Sequence, residues 1–430
     1  MSGGTHRLQE MRRIIDKTPS NPSSNPFDVF GDKTDLYSHV FALTGKRHVA
    51  LRRTSKAMHA ASDGAGKKTA VEYIVDTLKF NKAEDWKKVE QLMDDLGRTC
   101  AKFDVQRIKM CGLRQHGTHM VKYQNFEPVL RACPGLTSLD LSHNGMKEIE
   151  PIATALAGCT GLTRLDLSGN HLHFGEDTLR GLEQCKALRE LNLYGNYLND
   201  NDMRILTNEV DHFPALEDLD LGRNSLKDPD QAESLIAVLA ERCTGLTRLS
   251  LRENGMTPET VEGLCNALPK LAALAHLDLA RNNMGGRGLN FLGRVLAACT
   301  SLESLDVGHN MIASPWEKLT SPFTDALPGC LRLRRLDISV NDLGIHLWTE
   351  LLKVLSRCSA LEHLSLFDCG VENTWVDTLL PLLPMCYALR ELDLRMNSLQ
   401  PTVHAALRTA WAEVKERDPQ RLLLLPARVL

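Results

Sequence analysis

Apolar and polar positions along this chain follow one template. From residue 136 onward an aliphatic residue returns at the first, fourth and sixth places of a nine-residue pattern, LxxLxLxxN. The first places are Leu136, Leu162, Leu188, Leu216, Leu246, Leu274, Leu302, Leu333, Leu361 and Leu389, at spacings of 26 to 31 residues. The ninth places are Asn144, Asn170, Asn196, Asn224, Asn254, Asn282, Asn310, Asn341, Cys369 and Asn397. In an extended segment the fourth and sixth places share one face, and the third, fifth and seventh share the other. Each template therefore predicts a short strand with an apolar inner face. The rest of each unit predicts a return helix. Leu292 with Leu296, Leu351 with Leu355 and Leu379 with Leu383 are i, i+4 pairs that face the strand layer.

This pattern resembles the leucine-rich repeat, and its length near 28 resembles the ribonuclease-inhibitor-like class. The resemblance spans about two thirds of the chain. It implies an α/β solenoid with a curved parallel sheet inside and helices outside. The repeat domain is expected over 105–430. It would open with a degenerate cap strand carrying Val105, Ile108 and Met110, and close with a strand in Arg421 to Val429. The asparagine amides are expected to bond backbone groups where each strand turns away. Cys369 offers a weaker donor and predicts a softer turn.

Eight of the twelve cysteines stand three residues before a strand leucine, as Cys159 does before Leu162. Phe213 and Leu271 take that place in the other two units. A position that accepts Cys, Phe or Leu wants a buried apolar group, and free cysteine behaves as a small hydrophobe. Metal or disulfide chemistry needs clustered thiols, and no CxxC-like spacing occurs. The thiols are expected to be packing.

Ahead of the repeats, 1–27 is rich in Pro, Ser and Asn and reads as flexible. Residues 28–104 read as a small all-α domain, with TAVEYIVDTLKF and EDWKKVEQLMDDLG as two of its helices. VALRRTSKAMHAA resembles the latter half of an F-box at Ser55 and Lys56, but Thr54 and Met58 depart from the usual Val and Trp. The resemblance implies a surface of Leu36, Val40, Leu43, Val49 and Met58 that docks a Skp-type adaptor.

Hydrophobic residues make up 43% of the chain and the formal charge is −3, so no global excess points to nucleic acid. The start lacks a signal-peptide core, and no apolar run reaches the roughly 20 residues of a spanning helix. A soluble protein of the cytoplasm or nucleus is expected, without membrane partner, cofactor or metal.

The outward strand places carry the candidate chemistry. The fifth place is an acidic column: Asp140, Asp166, Asn192, Asp220, Ser250, Asp278, Asp306, Asp337, Ser365 and Asp393. At the seventh place Tyr194, Arg252, Phe367 and Arg395 interrupt a run of Ser, Gly and Ala, and Arg248, His276 and Arg335 lie beside them at the third. Aromatic and arginine side chains are the usual anchors of interfaces. Ser250, His276 and Asp278 sit on adjacent strands, but a gently concave sheet supplies neither a desolvated pocket nor an oxyanion site. The expectation is a non-catalytic scaffold that binds a protein on its concave face. The alternative is an F-box-type substrate-recognition adaptor of a cullin-RING ubiquitin ligase.

Overall fold

The computed structural model describes residues 70–75, 104–110, 126–175, 179–312, 322–415 and 422–425. Among them thirteen strands form one parallel sheet in sequence order. The first two are β1 (Ala70–Val75) and β2 (Asp104–Met110). The repeat strands follow as β3 (Ser138–Asp140), β4 (Arg164–Asp166), β5 (Glu190–Asn192), β6 (Asp218–Asp220) and β7 (Arg248–Ser250). Then come β8 (His276–Asp278), β9 (Ser304–Asp306), β10 (Arg335–Asp337), β11 (His363–Ser365) and β12 (Glu391–Asp393). The last is β13 (Leu422–Leu424). Each of β3 to β12 spans the third to fifth places of one template. Register is repeat-exact: Leu139 faces Leu165, Leu165 faces Leu191, and so on to Leu364 against Leu392.

First-, fourth- and sixth-place residues of all ten repeats are buried in one continuous core with the inner faces of the helices. Leu292 and Leu296, Leu351 and Leu355, and Leu379 and Leu383 all lie in it, as the helical periodicity predicts. Most returns are helical, among them Pro229–Arg242, Pro258–Ala267 and Gly285–Leu296. Their starts are set locally: Asp228 caps Gln231, and Thr257 forms a capping box with Thr260. Among its described residues the 26-residue unit from Leu162 has only a 3₁₀ turn, Arg180–Leu182. Neighbouring helices touch backbone to backbone where glycine permits. A Cβ on Gly263 would lie 2.2 Å from the Pro229 carbonyl oxygen.

The asparagines form the expected ladder. Asn170 Nδ2 donates to Leu167 O (2.7 Å) and to Leu141 O of the preceding repeat (3.1 Å), while its Oδ1 accepts from the N–H groups of Asn144 (2.9 Å) and Met146 (3.1 Å). Both ends of one side chain thus staple two repeats. At Cys369 the thiol still reaches Ile338 O at 3.3 Å, but the Leu343 N–H falls back on the Cys369 carbonyl at 3.4 Å. The eighth place, just before the asparagine, has positive φ in all ten repeats, and there Val340 stands at +52°.

The cysteine column packs in or against the core: Cys133, Cys159, Cys185, Cys243 and Cys386 are buried, and Cys299, Cys330 and Cys358 are half-buried at its border. Cys159 and Cys185 are buried, and their thiols point at backbone carbonyls of the preceding repeat. Burial pushes Cys159 up to about 11 and Cys185 up to about 12, which keeps both protonated and unreactive. Cys133, however, is disulfide-bonded, and its partner lies outside the described residues. Packing is therefore not its whole role. Pairing is a matter of proximity in space, which spacing along the chain does not report.

The all-α reading of 28–104 needs correction within it. Residues 70–75, expected as helix, form β1 and pair in parallel with β2. AVEYIV is short, and its β-branched and aromatic residues favour a pleated strand; period alone does not separate that from a helix turn. The cap strand β2 appears as expected, with Ile108 buried, and β13 falls inside the predicted closing segment. Leu36, Val40, Leu43, Val49 and Met58 lie outside the described residues. No helix among the described residues is long and apolar enough to cross a membrane.

Candidate functional site on the outer strand face

Pleating turns the third, fifth and seventh places of every repeat away from the core. Seven aspartates occupy the fifth place, two arginines the seventh, and the third balances three basic against three acidic residues. The face therefore carries a formal charge of −5 over ten repeats.

The aspartates have a structural duty as well. Asp140, Asp166, Asp220, Asp278, Asp306, Asp337 and Asp393 each accept the backbone N–H two residues on, at 2.8 to 3.0 Å. Asn192 makes the same bond to Tyr194 N–H at 3.0 Å. The column thus caps the ends of eight of the ten repeat strands and brings like charges side by side. Burial raises Asp220 and Asp278 to about 6, and neighbouring carboxylates add to the rise. Asp306, between Asp278 and Asp337, is raised further above the ordinary carboxylate range by burial and by both neighbours.

Arg252 answers this charge. Only 20% of its side chain is exposed, and its guanidinium stands 4.0 Å from Asp278 and 3.9 Å from Asp306, one and two strands away. It also meets Glu253 at 3.5 Å. Arg248 is more exposed and pairs with Asp218 at 3.5 Å. His276 is half-buried next to it; burial, then Arg248 and Arg335, hold its pKa below the usual value, so it is neutral at pH 7. Arg335 is exposed on β10.

The remaining candidates lie towards the two ends. Phe367 is half-buried under Arg395, whose guanidinium carbon lies 5.8 Å from the ring centroid. Arg395 also grips its own Asp393 through Nε and Nη2, at 2.6 to 3.1 Å, which raises its pKa. Tyr194 leans over the next repeat, where a Cβ on Gly222 would come within 2.8 Å of its ring. The structure thus gathers Arg248, Arg252, His276 and Arg335 around the acidic column of β7 to β10. Phe367 with Arg395, and Tyr194 alone, form two further points on the same face.

The sequence reading missed two features. Glu253, at a positive-φ eighth place, has three arginines within 4.0 Å: Arg252, Arg281 and Arg223. The eighth-place column shows that alternation of charge once it is written out. The Ser250 hydroxyl bonds Asp220 on the preceding strand, so it is engaged as a structural donor beside the acidic column. Among the described residues no group of three or more His, Cys, Asp or Glu is arranged to hold a metal ion.

A family model described as "Leucine Rich repeats (2 copies)" matches residues 134–173. The chain is 34% identical to a ribonuclease inhibitor of Sus scrofa over 186 residues, 43% of this chain and 40% of that protein. It is 33% identical to the ribonuclease inhibitor of Mus musculus over 193 residues, again 43% and 40%. A "NACHT, LRR and PYD domains-containing protein 5" of Bos taurus matches at 37% over 205 residues, 45% of this chain but 17% of that protein. The chain thus spans well under half the length of these curated relatives.

Proposed function

Because this chain is a leucine-rich-repeat protein whose repeats are of the ribonuclease-inhibitor-like class, we propose that it is a non-catalytic scaffold that holds a protein partner on its outer, concave strand face. Two of its relatives are, by name, inhibitors of an enzyme and so act on another protein. The observation that carries the reading is the makeup of this face. A formal charge of −5 is interrupted by two half-buried aromatic rings and by arginines held within the acidic column. Such a surface suits a partner with a basic patch and an apolar rim: the charge steers encounter and the rings supply desolvated contact.

The test is capture by the full chain against Tyr194→Ala/Arg248→Ala/Phe367→Ala, with retained proteins identified by mass spectrometry. Arg252 stays, because it offsets Asp278 and Asp306 and its loss would cost stability. The variant is expected to melt like the parent and to lose its captured partners. Equal capture would overturn the assignment.

The adaptor reading rests on Ser55 and Lys56 in VALRRTSKAMHAA. Co-elution of the full chain with a purified Skp-type adaptor at micromolar concentration supports it, and separate elution removes it.

A further inference from the structure

A second surface lies at the edge where the chain enters the strands, on the last three repeats. A groove of about 270 Å³ crosses the repeat of β11, between Leu331 of the preceding repeat and Tyr387 of the following one. Its middle is lined by small residues, Ser359 and Ala360, with Ala388 beside Tyr387. Strands about 4.8 Å apart set Leu331 and Tyr387 about 10 Å from each other, room for one extended peptide chain.

What lines this groove departs from the other repeats. Two residues before the strand leucine the chain elsewhere places Pro134, Thr160, Lys186, Pro214, Thr244, Ala272, Thr300 and Ser359. Here it places Leu331, 74% exposed, and Tyr387, 67% exposed. Large apolar side chains this bare, facing each other across a groove, mark contact surface. One residue before the leucine, Gly, Ala and Ser give way to Arg332 alone.

Charge supplies the second half of the argument. Arg334 and Arg390 approach Glu362 from either side, at 3.6 and 3.8 Å, and Arg332 stands 3.3 Å from Glu303. Three guanidiniums and one carboxylate, Glu362, thus line the groove, and Glu303 stands outside it on the preceding repeat. The sign is opposite to that of the strand face. Guanidinium forks match carboxylates in both shape and charge.

We propose that this lateral groove binds an acidic peptide segment, its carboxylates held by Arg334 and Arg390 and an apolar side chain seated between Leu331 and Tyr387. The site is separate from the strand face and of opposite charge, so the chain can hold an acidic segment and a basic partner at once.

The probe is a fluorescein-labelled peptide of four Glu-Leu-Asp units, titrated with the full chain and followed by anisotropy at low salt. Saturable binding is expected. It should weaken at least tenfold with Arg334→Glu/Arg390→Glu, with Tyr387→Ser, and with a Gln-Leu-Asn peptide. Both variants alter exposed edge residues, and an unchanged melting temperature verifies their fold. Tyr194→Ala/Arg248→Ala/Phe367→Ala should bind the peptide like the parent, which separates this site from the strand-face reading. No saturable binding by the parent would overturn the proposal. So would equal affinity in both groove variants, or loss of binding in the strand-face variant.

Discussion

Asn341 Oδ1 accepts the backbone N–H of Asn310, one repeat back, at 2.8 Å, and that of Ile312 at 3.2 Å. Its Nδ2 returns the link to Val307 O at 3.1 Å and to Ile338 O at 2.9 Å. With Ser339 O at 3.1 Å, one buried amide therefore bonds five backbone groups at a repeat junction. Asn341→Ala strips the acceptor from the Asn310 and Ile312 N–H groups, while Val307 O keeps the Asn310 amide at 3.0 Å and Ile338 O the Cys369 thiol at 3.3 Å, and should cost about 3 kcal/mol. The next rung is Cys369, where the Leu343 N–H has lost its amide acceptor. Cys369→Asn should therefore stabilise the protein by about 1 kcal/mol. Denaturant unfolding of both variants checks the pair of signs.

Val340 occupies the left-handed region at φ +52°, which crowds a β-branched side chain. Its side chain is 36% exposed, so little burial is lost on removing it. Val340→Gly should stabilise by about 1 kcal/mol, because relief of strain exceeds the extra chain entropy glycine brings to the unfolded state. The same change at Gly169 or Gly195, which already hold this place at +64° and +67°, has nothing to offer. A rise in the denaturation midpoint with unchanged slope is the readout.

Asp220 is raised by burial from 3.8 to about 6. A carboxyl held more tightly protonated in the native state loses stability as pH rises from about 4 to about 6 and stays at the lower level above that. Asp220→Asn removes the cost while keeping the acceptor for the Gly222 N–H, as Asn192 does for Tyr194. The variant's advantage over the parent should grow by about 2 kcal/mol between pH 4 and pH 7. Chemical denaturation at both pH values reads the difference directly.

The strands were legible because strand leucines and turn asparagines must recur at each repeat to keep one core and one ladder. Leu139 to Leu394 and Asn144 to Asn397 repeat because the geometry they serve repeats. β1 was not legible in this way: AVEYIV belongs to no template, and six residues fit either period. The outward face was legible as a column, but its pairings were not. That Arg252 reaches two strands to Asp306 while Arg395 turns back on Asp393 depends on side-chain packing that spacing does not encode. The lateral groove is built from residues just before the strand leucines, outside the outward third, fifth and seventh places, and there Leu331, Arg332 and Tyr387 break the run of small and polar residues.

Trp348 and Trp375 show where tryptophan serves packing instead. Trp348 is 1% exposed in the helix Gly344–Leu355 and donates its Nε1–H to the Trp375 carbonyl at 3.3 Å. Trp375 lies in the helix Asn373–Leu379, its ring 6.0 Å from that of Trp348.

The most direct test of the account is hydrogen exchange of the full chain with and without a partner captured from cells. Protection on binding should fall on peptides that carry the third to seventh places of β5 to β12, including Tyr194, Arg248, His276 and Phe367. Protection confined to the return helices, such as Pro229–Arg242 and Gly285–Leu296, would contradict it.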